Sequence, residues 1–78
     1  MMARIDKEWQ ERVKNILKAE LTRRNVSYKA LADLLGKIGV KDTERNISNK
    51  ISRGSFTAAF FVQCLDAIGC HTLHLNGD

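Results

Sequence analysis

The residues best suited to recognition chemistry lie between 43 and 54, in the stretch TERNISNKISRG. If this stretch is a helix, Ile47 and Ile51 fall within about 40° of each other and must face the core. The opposite face, between about 140° and 260° from Ile47, then carries five polar residues: Arg45, Asn46, Asn49, Ser52 and Arg53. Lys50 lies at the edge of this face. Glu44, the one carboxylate of the stretch, falls nearer the core side.

This outward face carries the hydrogen-bonding groups that recognise DNA. Arg binds guanine O6 and N7 through two hydrogen bonds, Asn does the same at adenine N6 and N7, and Lys suits phosphates. An ordinary solvated helix mixes Glu with Lys, because such pairs four residues apart stabilise it; this face holds no acid. We predict that Arg45, Asn46 and Asn49 read bases. We predict that Arg53, Lys50 and Lys41 bind phosphates. A merely solvated surface is the alternative.

The charge of the chain changes sign along its length. The 78 residues hold 13 Lys and Arg against 9 Asp and Glu, a formal net charge of +4. Residues 1–26 carry seven basic and four acidic groups, residues 27–54 carry six and three, and residues 55–78 carry none and two. This distribution favours one surface that faces a polyanion and another that faces the core or a partner chain.

Length and composition predict one cytoplasmic domain. With 44% hydrophobic and 28% charged residues and no low-complexity tract, residues 1–78 should fold as a single unit. No apolar run approaches the roughly 20 residues that cross a bilayer, and the N-terminus lacks the apolar core of a signal peptide. We expect no association with a membrane.

Four amphipathic segments predict the helices that position the polar face. The spacing of apolar residues places these helices at about residues 6–25, 27–38, 43–53 and 57–68. Each has a residue suited to cap its N-terminus: Asp6, Ser27, Asp42 or Thr43, and Thr57. Residues that tolerate a left-handed conformation follow the first, third and fourth helices: Asn25, Gly54 and Gly69.

The segment CHTLHL after the fourth helix predicts a short β-strand over about residues 70–75, because Leu73 and Leu75 alternate with polar neighbours. A lone strand has no partner in its own chain, so its backbone groups would need a second copy of the same strand. We therefore predict a homodimer that pairs through residues 70–75. An extended tail packed on the helices is the alternative.

The Cys and His residues near the C-terminus do not predict a metal site. In an extended segment His71 and His74 point to opposite sides, and Cys64 lies on the buried face of a helix. No Ser adjoins a His, and there is no glycine-rich phosphate loop. We expect no enzyme activity, no metal and no cofactor, and we expect Cys64 and Cys70 to pack as small apolar side chains.

The middle of the chain resembles the helix-turn-helix of phage repressors. The resemblance covers about residues 15–70 and rests on a helix beginning at Ser27, with Ala32 and with Gly36 four residues later, followed by a capped polar helix. It implies a bundle of four to five helices, with the third helix in the DNA major groove, and frequent dimers. The chain departs from the pattern in the turn, where Asp42 stands in place of an aliphatic residue and KIGVKDT is about five residues longer.

The whole chain, from DKEWQERVKNILKAEL through NISNKISRGSFTAAFFVQCLDAIGC, also resembles a bacterial family of small domains of unknown function. Taken together, the sequence predicts an all-α helix-turn-helix bundle with a short C-terminal strand, acting as a dimeric DNA-binding transcriptional regulator. The alternative is a protein-interaction module of the same fold that does not bind DNA. Its contact surface would be the apolar residues 60–75.

Overall fold

The four predicted helices are all present, and they occur in the predicted order. The computed structural model describes residues 4–75, and the side chains of residues 6–75. Its helices are α1 (Arg4–Arg23), α2 (Tyr28–Lys37), α3 (Glu44–Arg53) and α4 (Ala58–Ala67). Both α3 and α4 pack against α1 and α2. The all-α class is therefore confirmed.

Three of the four predicted N-caps are confirmed by hydrogen bonds to the first turn of each helix. Each hydroxyl oxygen accepts from the backbone N–H three residues later, at 3.0 to 3.1 Å; the capping residues are Ser27, Thr43 and Thr57. The prediction for α1 is wrong, because this helix already begins at Arg4 and Asp6 lies within its first turn. Arg and Ile are tolerated in helices, so nothing in residues 4 and 5 forces the chain out of the helix.

The residues predicted to follow α1 and α4 in a left-handed conformation do so. Asn25 has a φ of 56° after α1, and Gly69 has a φ of 77° after α4. Gly36 stays inside α2, and the left-handed residue that terminates this helix is Gly39, with a φ of 86°. Residues 38–43 then form the connection to α3, in which Val40 packs on the core.

The core lies where the four helices meet. Its members are apolar side chains from every helix together with Cys70: Leu17, Leu21, Leu31, Leu35, Ile47, Ile51, Phe60, Cys64, Leu65 and Cys70. Both cysteines are free thiols and buried, as predicted. Phe56 adds an edge contact to Phe60, with ring centroids 5.6 Å apart, and it stacks on Phe61.

The C-terminal segment is not a β-strand, and no strand occurs anywhere in residues 4–75. The Cys70 N–H donates to the Leu65 carbonyl at 2.8 Å, Leu73 packs on the core, and the Leu75 carbonyl accepts from Arg12 at 3.2 Å. The segment thus finds hydrogen-bond partners in its own chain. The predicted strand over 70–75 is therefore wrong, and the structure gives no support to a homodimer formed through such a strand.

Gly54 ends α3 against the backbone of α1. Its φ of 71° is left-handed, and a Cβ atom added there would lie 2.8 Å from the carbonyl oxygen of Gln10. Gly39 is also left-handed, but a Cβ atom added there would meet nothing within 4 Å. Gly54 therefore serves two purposes, since it terminates α3 and lets the end of this helix approach α1.

Glu20 is the one buried charged residue among those described, with 4% of its surface exposed. It pairs with Arg23 at 2.7 Å and with Arg24. Burial raises the pKa of this carboxyl. The net effect is nevertheless a lowered pKa, because of the hydrogen bond from Arg24, the charges of Arg23 and Arg24, and the Cys70 side chain. Glu20 thereby holds Arg23 and Arg24 together at the end of α1.

Replacing Gly54 with Ala should destabilise the fold by about 2 to 5 kcal/mol, because a left-handed Ala costs about 1 to 2 kcal/mol and overlap with the α1 backbone adds about 1 to 3. The matched control is Gly39→Ala, which has the cost of a left-handed Ala but no overlap with the α1 backbone. Urea unfolding of both variants measures the difference. Equal losses of stability in the two variants would contradict the close approach.

Replacing Glu20 with Gln should lower the free energy of unfolding at pH 7 by about 1 to 2 kcal/mol, because charge-assisted hydrogen bonds are lost. The lowered pKa means that the stabilisation is complete above about pH 4.3, the ordinary pKa of a glutamate, and disappears as the pH falls below it. Urea unfolding from pH 7 to pH 3 should therefore show the variant and the parent converging.

The control for this experiment is Glu11→Gln, since Glu11 is an exposed residue of the same helix and pairs with Lys14 at 2.8 Å. Solvent screens such a pair, and we expect no measurable change. A Glu20→Gln effect that stays constant down to pH 3 would show that the carboxylate charge is not its cause.

Candidate nucleic-acid interface

Two isoleucines fix which face of α3 points outward. Ile47 and Ile51 are fully buried, at 0% exposure, and they lie one turn apart on the side that packs against α1 and α2. Thr43 caps the start of the helix and Gly54 its end. Rotation of α3 about its axis would expose both isoleucines, so the orientation of the opposite face follows from the core.

The structure places every predicted site residue at the surface. Five lie on the exposed side of α3, and all five are classed as exposed: Arg45, Asn46, Asn49, Lys50 and Arg53. Lys41 is exposed too, but it lies outside the helix, in the connection from α2. Ser48, which follows Ile47 in α3, is half-buried. Glu44, which the helical spacing put nearer the core side, is exposed.

Lys50 is held by an acidic residue that precedes the helix. Its Nζ atom lies 2.7 Å from the Oδ2 atom of Asp42 and 4.7 Å from the centre of the Phe60 ring. The Asp42 side chain is only 6% exposed, whereas that of Lys50 is 45% exposed. The ammonium group is thus directed toward the connection between α2 and α3 and toward α4.

Asp42 receives several hydrogen bonds that favour its charged form. Burial raises the pKa of this carboxyl, but the hydrogen bond from Lys50, the backbone N–H of Thr43 at 2.9 Å, the Lys50 charge and the Asn46 side chain together lower it. Asp42 is therefore a carboxylate at neutral pH, and it connects residues 38–43 to the first two turns of α3.

A shallow depression of about 400 Å³ joins the start of α2 to the exposed face of α3. Its walls come from both helices: Tyr28, Glu44, Arg45, Ser48 and Asn49. Tyr28 is the first residue of α2 and is half-buried against the core. The positive end of the α2 dipole thus lies beside two of the predicted base-reading residues.

Sequence reasoning missed the contributions of Tyr28 and Asp42 to this surface. In the sequence, Tyr28 is typical of a core or rim residue. Only the packing of α2 on α3 brings it beside Arg45. Asp42 precedes Lys50 by eight residues and lies before the start of α3. Ion pairs within a helix usually join residues three or four apart, so this pair matches no helical pattern. An acid next to a cap with a Lys two turns later is the signal that could have revealed it.

The buried thiol of Cys64 lies close to the Asp42–Lys50 pair. Burial, reinforced by the negative charge of Asp42 and only partly offset by Lys50, raises the pKa of Cys64 to about 12. Such a thiol stays protonated at neutral pH and is a poor nucleophile. Within residues 4–75, no three His, Cys, Asp or Glu side chains are grouped so that they could hold a metal ion.

The helices of the described region are also unsuited to crossing a membrane, since none combines the necessary length with sufficient apolarity.

Comparison with known proteins identifies the family of the chain. The model of a domain of unknown function, DUF6471, matches residues 9–73. Searches of curated proteins and of solved structures found no match. The predicted resemblance to a family of small domains of unknown function is thereby confirmed, whereas no comparison shows a repressor-like helix-turn-helix. Because the match covers most of its length, the chain belongs to the DUF6471 family.

Proposed function

We propose that the chain is the DNA-binding helix-turn-helix domain of a bacterial, cytoplasmic transcription regulator, with α3 lying in the major groove. The observation that carries this proposal is the exposed polar face of α3, opposite two fully buried isoleucines. Such a face offers Arg and Asn side chains to base edges while the rest of the domain supports the helix from behind.

The residues of this face divide into two roles. Arg45, Asn46 and Asn49 read base edges, because guanidinium and amide groups make two directed hydrogen bonds each. Arg53 and Lys41 bind phosphates on either side of the groove. Lys50 belongs to the same face by position, but its ammonium is paired with Asp42.

The packing of α2 supports the same orientation on DNA. The N-terminus of α2 borders the depression beside Arg45 and Asn49, and its backbone N–H groups and dipole favour an anion. A duplex lying along α3 would bring a phosphate to this position.

The second candidate is a protein-interaction module, and the exposed apolar side chains near the C-terminus favour it. Of residues 60–75, most large apolar side chains are used in the core, but Val62 is 61% exposed and Leu75 is 66% exposed. Ala58 and Ala59 extend the exposed apolar face of α4 around Val62. A partner helix could pack closely on such small residues.

Arg45→Ala should weaken binding to a selected duplex by about 1 to 3 kcal/mol and relax the sequence preference, because a bidentate base contact is lost. The measurement is fluorescence anisotropy, first with a mixed pool of duplexes from about 50 to 200 mM salt and then with a selected sequence. The matched control is Lys18→Ala, which removes one positive charge from the exposed side of α1.

Equal losses of affinity in the Arg45 and Lys18 variants would reduce the effect to net charge and contradict base reading. If the parent binds no duplex even at low salt, the polar face of α3 is a solvated surface.

If the second candidate is correct and the partner is another copy of the chain, light scattering should show self-association that rises with concentration. Val62→Asp should abolish this self-association, since it places a charge in an apolar contact, whereas the nearby exposed Asp66→Asn should leave it unchanged. A monomer at every concentration would contradict self-association through α4.

A further inference from the structure

Among the basic residues of the proposed DNA face, Lys50 is the one that the described structure places in an ion pair. Its ammonium group has two partners within the domain, the Asp42 carboxylate at 2.7 Å and the Phe60 ring at 4.7 Å. Arg45 and Arg53 take part in none of the ion pairs formed within residues 4–75. The α3 surface therefore contains one cation that is already neutralised.

We propose that Asp42 is a specificity-determining residue that withholds the Lys50 ammonium from DNA phosphates. The inference rests on the proposed function of α3. A lysine bound to phosphate adds affinity for every sequence alike and carries no base information. By occupying Lys50, Asp42 lowers the affinity for random DNA while the base-reading side chains of α3 remain available.

Asp42 competes well with a phosphate because it is fixed in place. Its carboxylate is nearly buried, and it also accepts from the Thr43 N–H at 2.9 Å. Moving Lys50 to a phosphate would leave this carboxylate buried without its counter-ion and close to the negative backbone of DNA, which is unfavourable. The Phe60 ring opposes the same movement through a cation–π contact.

The alternative is that the pair only fastens residues 38–43 to α3. Stability measurements cannot separate the two roles, but the salt dependence of DNA binding can. Each phosphate contact changes the slope of the logarithm of the DNA-binding constant against the logarithm of the salt concentration by about 0.9. A purely structural pair would leave this slope unchanged in any variant that remains folded.

The experiment measures the salt slope for a random duplex with the parent, Asp42→Asn, Lys50→Met and the double variant. Asp42→Asn keeps the shape of the side chain and an oxygen for the Thr43 N–H, so it releases Lys50 with little change in structure. We expect this variant to bind random duplex several-fold more tightly, with a slope steeper by about 0.9. The double variant, which removes both charges, should keep the slope of the parent. Lys50→Met alone should bind more weakly, because it leaves the Asp42 carboxylate without its counter-ion.

Two controls calibrate the result. Arg53→Met removes a proposed phosphate contact that is not in an ion pair, and it should flatten the slope by about 0.9, which shows that the assay resolves one contact. Asp66→Asn removes an exposed acid from α4 without touching Lys50. It should not produce the gain seen with Asp42→Asn, and circular dichroism confirms that each variant is folded.

Each contrary outcome overturns a defined statement. A flatter slope for the double variant than for the parent would show that Lys50 already binds a phosphate in the parent. A gain that persists in the double variant, or that Asp66→Asn reproduces, would assign the effect to negative charge alone. If the parent binds DNA and Asp42→Asn leaves its slope unchanged, this inference fails and the proposed function stands; if the parent binds no duplex, both fail.

A measurement on the parent protein covers the case in which a variant does not fold. The ¹³C resonance of the Lys50 Cε atom, assigned in the free protein, should stay in place when duplex is added, because the ammonium keeps its partner. A shift of this resonance on binding, comparable to the shift at Lys41, would overturn the inference.

Discussion

The burial of Ile47 and Ile51 is the constraint on which the rest of the surface depends. These two side chains hold α3 between α1 and α2, and truncating a buried isoleucine to alanine typically costs about 2 to 5 kcal/mol. Because they lie one turn apart, they fix the rotation of the helix as well as its position. The Thr43 cap and the close approach of Gly54 to Gln10 then fix its two ends. A polar face that cannot rotate is a prerequisite for reading bases.

Some of the described basic residues have partners within the domain, and others do not. On α1, Lys14 pairs with Glu11, and Arg23 and Arg24 pair with the buried Glu20. Arg12 donates to the C-terminal segment. Among the described side chains, four cations are therefore paired with carboxylates, Lys50 of α3 among them. Arg45 and Arg53 of α3 remain available to a polyanion, as does Lys18 of α1.

Local chemistry made the helices predictable from the sequence. A helix begins at a hydroxyl residue and ends before a Gly or Asn because of hydrogen bonds that span only three or four residues. Ser27, Thr57 and Asn25 therefore took the predicted conformations. The C-terminal segment was not predictable in the same way. Alternation suits a strand and an extended tail equally well, and the hydrogen bond from Arg12 to Leu75, which joins residues 63 positions apart, stabilises the tail.

The same distinction applies to the candidate site. The exposed residues of α3 followed from the helical repeat, because Ile47 and Ile51 define the inward direction. The pairing of Asp42 with Lys50 and the position of Tyr28 beside Arg45 depend on how residues 38–43 fold and on how α2 packs, and neither is encoded in a local pattern.

The most direct test of α3 as a DNA-reading helix is an NMR titration of the ¹⁵N-labelled protein with duplex. The proposed function predicts that the largest shifts map to α3, Lys41 and the first turn of α2, while α4 is unaffected. Shifts confined to α4 and residues 70–75, or no shifts at low salt, would contradict it.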